Sequence, residues 1–377
     1  MIWVFWLSVG FVVYTLMGFP ILLWVVSRLR RRSLTRGFIL PSVSVIVVGH
    51  NVAATIKEKI RNTLALDYPK EKLELFVGSD GSTDDTVKIV SAHAAEGLKL
   101  VESVQRIGKH HVQMNARDQS SGEILVFTDA SIRCEPDILR RMVSHFADPS
   151  VGAVCSVDQV MEHQRGWRGE HFYVYGEMGL RRMEAQVGSL VSLSGALFAV
   201  RREICGAWHP DMSSDFFLAL HTVEHGYRAV IDPECRARLG IVKSQRAELS
   251  RKVRTIVHGL VVLFAHLNLL NPFRYGLFSW QLMSHKVFRW MIPFAVIGTF
   301  VASAFLWNAG IFYRVALLLQ IAGFGAGLLA NLYGRLGEFR LFKLASFFVL
   351  GNIATLVAWW KFCKGEKLVT WEPSRRD

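Results

Sequence analysis

Two apolar runs in this chain each stop on an acid. Leu75-Phe76-Val77-Gly78-Ser79-Asp80 and Ile124-Leu125-Val126-Phe127-Thr128-Asp129 read as strands buried on both faces that end in a carboxylate. Open α/β sheets bind ligands at the carboxyl ends of their strands, so Asp80 and Asp129 are placed to face one crevice. Gly108-Lys109 opens the helix before the second run and offers an ammonium to the same region. A carboxylate that holds a divalent ion, with a lysine nearby, is chemistry suited to a diphosphate. The common alternatives are absent, since neither GxGxxG nor GxxxxGK[ST] follows Val48. Farther along, Arg251 and Arg254 are three apart, share a helix face and can clamp phosphate oxygens.

Alternating elements position these groups. Val43 to Val48 is a run of β character closed by Gly49-His50-Asn51, and a helix pattern follows through Arg61 to Leu66. Strands at Leu73–Val77 and Leu98–Glu102 alternate with helix patterns at Val87–Ala95 and His110–Arg117, before the strand that ends at Asp129. Strands separated by helices imply a parallel sheet with right-handed crossovers, a nucleotide-binding half of the doubly wound kind.

Composition adds a membrane. Hydrophobic residues make up 51% of the 377, with 11 Trp and 25 Phe, more than a soluble domain needs. The excess lies in residues 1–27 and after about residue 255. Ile2 to Val26 has the length of a bilayer core, roughly 20 residues, and is followed by Arg28, Arg30, Arg31, Arg32 and Arg36. A signal peptide carries its charge before the apolar core and a small-residue cleavage site after it, so this segment reads as an uncleaved anchor with a cytoplasmic domain behind it. The net charge of +13 clusters beside apolar segments, where it meets anionic headgroups; no nucleic-acid motif accompanies it. Five cysteines without CxxC spacing read as reduced structural thiols, and 13 histidines show no ligand spacing.

In order along residues 40–260, the segments Val43–Asn51, Ser79–Asp84, Gly108-Lys109 with Asn115, Gly122-Glu123 into Phe127–Asp129, Ser194–Arg202, Ser214–Leu218 and Gly226–Arg228 with Asp232-Pro233 resemble inverting glycosyltransferases of family 2. With its anchor and later spans, the chain is similar to the membrane-integral branch: the synthases of poly-N-acetylglucosamine, cellulose and hyaluronan, and ceramide glucosyltransferase. The resemblance implies an α/β GT-A fold, a Rossmann-like, mostly parallel sheet in a cytoplasmic domain, flanked by an N-terminal anchor and C-terminal transmembrane helices. It implies a nucleotide-sugar donor, UDP-linked before others, Mg²⁺ or Mn²⁺, and a glycan or lipid-linked acceptor in exopolysaccharide or cell-envelope glycan synthesis. Its place is the inner (plasma) membrane, multi-pass, in contact with membrane lipid, with partner subunits of polysaccharide synthesis and no nucleic acid.

Carried over by position, Val48 and His50 border the nucleobase and Asp80 bonds the uridine portion. Asp129 matches the first acid of the family's DxD motif and binds the metal; Asp215 matches the catalytic base; Lys109, Arg251 and Arg254 meet the donor; Gly195 and Ala196 lie on the acceptor side. Two motifs depart from the pattern. DxD reads Asp129-Ala130-Ser131, and QxxRW reads Arg251-Lys252-Val253-Arg254-Thr255. Structural readings stand beside each role: Asp80 or Asp129 as a turn residue, Asp84 or Asp215 as a helix cap, Arg251 and Arg254 as a headgroup-facing surface. Competing readings of the whole are transfer of one sugar to ceramide or polyprenyl phosphate, and a catalytically inactive GT-A scaffold in an export complex.

The expected order is an anchor at 1–27, the GT-A domain at 38–245, interfacial helices at 246–286, transmembrane helices at 287–362 and a tail at 363–377. Ile256 to Leu270, interrupted by His258, His266 and Asn268, reads as an in-plane helix; Phe288–Trp307 and Ile311–Leu332 read as a spanning hairpin. Leu344–Trp360 leaves a parity problem. If it spans, the basic tail lands outside, against the charge rule; if it is re-entrant, or if 256–270 spans, the tail is cytoplasmic. The tail, Gly365 to Pro373, resembles the end of bacterial exopolysaccharide transferases and favours the cytoplasmic side.

Overall fold

The structure is a computed structural model that describes residues 1–160, 168–206, 208–239, 245–333, 336 and 339–368. The tail motif Trp371-Glu372-Pro373 lies outside the described residues. Helix α1 (Ile2–Leu29) leads into a domain built on seven strands: β1 (Val43–Gly49), β2 (Leu73–Asp80), β3 (Leu98–Ser103), β4 (Ile124–Asp129), β5 (Val151–Val160), β6 (Leu197–Arg201) and β7 (Arg228–Leu239). They form one sheet in the order β3-β2-β1-β4-β6-β5-β7. Its first four strands are parallel, as the alternation of strand and helix requires; β6 runs against both its neighbours, and β7 is parallel to β5.

Strand residues alternate between two cores because successive side chains leave a strand on opposite faces. Ile46, Val48, Phe76 and Phe127 pack on one face against α4 (Lys109–Gln119) and α7 (Ser214–Glu224). Val45, Val47 and Val126 pack on the other against Ile56 and Ile60 of α2 (Ala53–Leu64), with α5 (Ile138–Ser144) beside them. Helix α3 (Thr86–Ser91) lies over the β2–β3 edge, and α6 (Arg168–Val187) and α8 (Gln245–Ala265) cover the side toward the apolar helices. Each buried Phe or Ile contributes roughly 1.5–3 kcal/mol, so β1, β2 and β4, at the centre of both cores, are the rigid part from which the site projects.

Two further apolar helices, α9 (Leu277–Phe305) and α10 (Ile311–Leu332), are long enough to cross a membrane, as is α1; α11 (Arg340–Cys363) reaches that length over Leu341–Cys363. Helix α1 runs antiparallel to α9, with Phe5 against Ala302 and Leu306 and Phe11 against Phe288. Each of the two contains one wide π-helical turn, Tyr14–Gly18 and Met283–Val287, and these meet. Tyr14 Oη lies 2.9 Å from Ser284 Oγ and accepts from Trp280 Nε1 at 2.9 Å. The sequence places an interfacial segment up to residue 286, whereas α9 runs unbroken from Leu277. The π turn lets the helix continue through His285 and Lys286, which face the domain instead of ending it. Arg36, after α1, pairs with Asp232 at 3.0 Å and Glu234 at 2.7 Å, and buried His145 meets Asp232 at 2.9 Å.

Candidate active site

Register puts the two strand-tip acids on the same edge. Val48 of β1 stands opposite Asp129 of β4, and Gly49 opposite Ser79 of β2. Asp80 is fully buried, and its Oδ1 accepts from the main-chain N–H groups of Ile107 and Gly108 at 2.8 and 2.9 Å. Its Oδ2 is buried and has no hydrogen-bond partner among the described residues. His50 Nδ1 meets the Asp80 carbonyl at 2.7 Å, which fixes the ring beneath the same loop. Val48 is 1% exposed and enclosed in the core, so only its main chain can border a ligand.

The loop after β1 is held from the side. Asn51 adopts a positive φ of 50° and its Oδ1 accepts from Thr83 N at 2.8 Å. Asp84 accepts from Ala53 N and Thr86 N, each at 3.0 Å, so it joins the starts of α2 and α3. Burial alone would raise its carboxyl pKa; the Thr86 hydroxyl and these N–H groups outweigh that and hold it below the ordinary range. Asp84 is thus a structural cap, as its position in the sequence suggests.

Lys109 begins α4 directly after Gly108, whose φ of 97° turns the chain into the helix, and its ammonium pairs with Asp129 Oδ1. Asp129 N donates to the Ala196 carbonyl at 3.3 Å, and the next residue back, Gly195, lies against Asp215: a Cβ there would stand 3.4 Å from Asp215 Oδ2. The segment 195–196 therefore bridges the tip of β4 to the start of α7. Helix α7 begins after Ser213 without a side-chain capping bond, so Asp215 is not spent as its cap. Arg254 of α8 comes to the same crevice. Burial lowers its pKa first, Arg251 and Arg106 add to the lowering, and Asp129 opposes them. Arg251 is held by Glu248 through two bonds of 2.8 Å, beside the site and already engaged. One turn beyond Arg254, the His258 ring meets His110 edge-on with centroids 5.7 Å apart, and burial first, then Arg254, lowers its pKa.

No group of three or more His, Cys, Asp or Glu residues able to hold a metal occurs among the described residues. The partly exposed carboxylate of Asp129 stands two residues before Ser131, with Lys109 and Arg254 around it. That donor set fits a divalent ion carried mainly by a bound diphosphate, which needs few protein ligands.

One residue was missed in the sequence. Lys59 is 1% exposed, and its ammonium donates to Thr128 Oγ1 at 3.2 Å and the Ile132 carbonyl at 2.9 Å, fastening from below the turn that carries Asp129. Its signal was a lysine in the buried helical stripe Ile56, Lys59, Ile60, Thr63. Burial lowers its pKa from 10.5 to about 8, while Cys134 and Asp129 work in the opposite direction. Because the folded pKa lies below the unfolded one, the unfolded chain holds more protons between these values, and stability rises with pH across that window. Wild type is expected to gain up to about 3 kcal/mol on Lys59→Met between pH 8 and 10.5. Thermal unfolding of both proteins at pH 7.0 and about pH 10 checks this, and a stability difference that does not move with pH contradicts it.

Residues 44–207 match the family model described as Glycosyl transferase family 2. A beta-monoglucosyldiacylglycerol synthase from a Nostoc species is 29% identical over 190 residues, 47% of this chain and 40% of that protein. The chain spans about two fifths of the length of the first curated relatives it matches. An N-acetylglucosaminyltransferase of Bradyrhizobium elkanii is 30% identical over 121 residues, 31% of this chain and 66% of that protein. Among solved structures, the mannosyltransferase PcManGT of Pyrobaculum calidifontis, in complex with GDP-Man and Mn²⁺, superposes with a TM-score of 0.73 at 26% identity, covering 96% of this chain and 99% of that one. The sheet order, the acids at its edge and these matches identify residues 44–207 as a glycosyltransferase family 2 domain on a GT-A-like fold.

Proposed function

We propose that the protein is a membrane-bound inverting glycosyltransferase that moves a sugar from a nucleotide-sugar donor to a glycan or lipid-linked acceptor in exopolysaccharide or cell-envelope glycan synthesis. The observation that carries this reading is the bridge at Gly195-Ala196, which ties Asp129 and Asp215 to one crevice although they come from different elements. Asp80 and His50 border the nucleoside, and Lys109 and Arg254 balance the charge of the diphosphate. A divalent ion held beside Asp129 would neutralise that diphosphate as a leaving group. Asp215 takes the proton from the acceptor hydroxyl as its oxygen bonds to the anomeric carbon. The bond from that carbon to the diphosphate breaks on the opposite face, its electron pair leaves with the diphosphate, and configuration inverts.

Helices α1, α9 and α10 anchor the domain to the cytoplasmic face of the inner membrane, with the basic run Arg28–Arg36 on that side. The diacylglycerol-directed relative supports a second reading, transfer of a single sugar to a membrane lipid. Supplying radiolabelled donor to protein in bacterial lipid and sizing the product separates them. A high-mass or oligosaccharide-bearing product supports glycan synthesis. A single-sugar product that partitions wholly into organic solvent supports lipid transfer and contradicts the first reading.

A further inference from the structure

Length and apolarity make α11 a fourth span, but its contacts run the other way. If it crossed the bilayer from Arg340, Trp359 would lie about 18 Å deeper than Phe347. Phe347 receives the Lys252 ammonium of α8 at 4.1 Å, and Ala354 and Ala358 pack against Val253 and Val257 of that helix. Trp359 Nε1 donates to the Trp290 carbonyl at 3.0 Å, and the tilted rings of Phe362 and Phe264 lie 4.9 Å apart. Helix α11 thus follows α8 in parallel, from Lys252 to Phe264.

Helix α8 itself stays on the domain. Its amino-terminal half carries Arg254 and His258 to the crevice. Past its other end, His266 and Asn268 each bond Glu224 of α7 at 2.9 Å. The other markers agree. Trp290 lies near the domain end of α9, where His285 is bonded to Glu184 of α6. At the opposite end of α11, Ser346 donates to Asn331 near the close of α10 at 2.9 Å. Beyond α11 the chain returns to the crevice, where the Leu368 carbonyl meets His258 Nε2 at 2.8 Å.

We propose that α11 lies in the plane of the cytoplasmic leaflet alongside α8, so that the chain crosses the bilayer three times and its tail sits on the catalytic side. The inference rests on the membrane reading above and resolves its parity. The occupant of the outer face of α11 is lipid: Leu341 and Trp360 are exposed there, and Lys361 and Lys364 stand at the end of the helix, with Lys364 3.8 Å from the Trp360 ring. Charge agrees as well. The turn Trp307–Gly310 between α9 and α10 has no lysine or arginine, whereas Arg335 precedes α11, Lys343 and Lys361 lie near its two ends, and Lys364 and Lys367 follow it.

The test uses the native, exposed Cys363. A membrane-impermeant maleimide is applied to inverted and right-side-out bacterial vesicles, with Cys363→Ser as blank, Lys57→Cys marking the catalytic side and Trp3→Cys the opposite side. Cys363 is expected to label in inverted vesicles together with Lys57→Cys and to lose that label in right-side-out ones. Labelling on the Trp3→Cys side overturns the proposal. Labelling of all three from both sides means that the protein is not inserted, which overturns the membrane reading itself, while donor turnover is scored separately. A spin label at Gly351→Cys, where a Cβ meets nothing within 4 Å, reports depth. An in-plane helix places it about 5–10 Å below the headgroups, and a span near the midplane, about 15 Å down, overturns the proposal.

Discussion

Asp215→Asn is expected to lower sugar transfer by about 10²–10⁴-fold while nucleotide-sugar affinity stays unchanged. The substitution keeps the shape of the side chain and removes the acceptor for the hydroxyl proton. It should leave α7 intact, since that helix starts without a capping bond from its side chains. Single-turnover kinetics with saturating donor separate chemistry from binding, and thermal unfolding verifies the fold. A loss confined to KM would reassign Asp215 from the base to a binding group.

Asp129→Ala is expected to cost roughly 10³-fold in turnover and to abolish the response to added Mg²⁺ or Mn²⁺. The two acids are distinguished by what survives. Without Asp129, Lys109 loses its partner and remains free to meet phosphate, so weak metal-independent binding of nucleoside diphosphate persists. Calorimetric titration of nucleoside diphosphate with and without Mn²⁺ reads this directly. Wild-type binding should tighten with metal, whereas binding by Asp129→Ala should not. Equal tightening in both proteins would move the ion elsewhere.

Much of the site could be read from residue order because its carriers are local. Asp80 and Asp129 end apolar runs, Lys109 follows the glycine that turns the chain into its helix, and Arg254 lies on a basic face. The depth of each side chain was not legible, because neighbours from distant segments set it. Val48 was read as bordering the nucleobase, yet its side chain lies in the core with Phe76 and Phe127. Lys59 was missed because Thr128 and Ile132, about seventy residues away, supply the oxygens that allow it to be buried. The reversed strand β6 was hidden for a similar reason, since a short apolar run has no direction until a partner pairs with it. Apolarity could not fix the orientation of α11, because a helix lying along a membrane face and one crossing it can have the same composition. Its side chains meet α8 along much of its length and also pack against α10, contacts that composition does not reveal.

Donor turnover decides whether the protein is a transferase. Purified protein in lipid nanodiscs is offered UDP-, GDP- and dTDP-sugars with Mg²⁺ or Mn²⁺ and a bacterial lipid extract as acceptor, and nucleoside diphosphate release is followed beside Asp215→Asn and Asp129→Ala. Metal-dependent release from one donor class, coupled to sugar incorporation and lost in both variants, is expected. Nucleotide binding without turnover of any donor, or turnover unchanged in both variants, would contradict it.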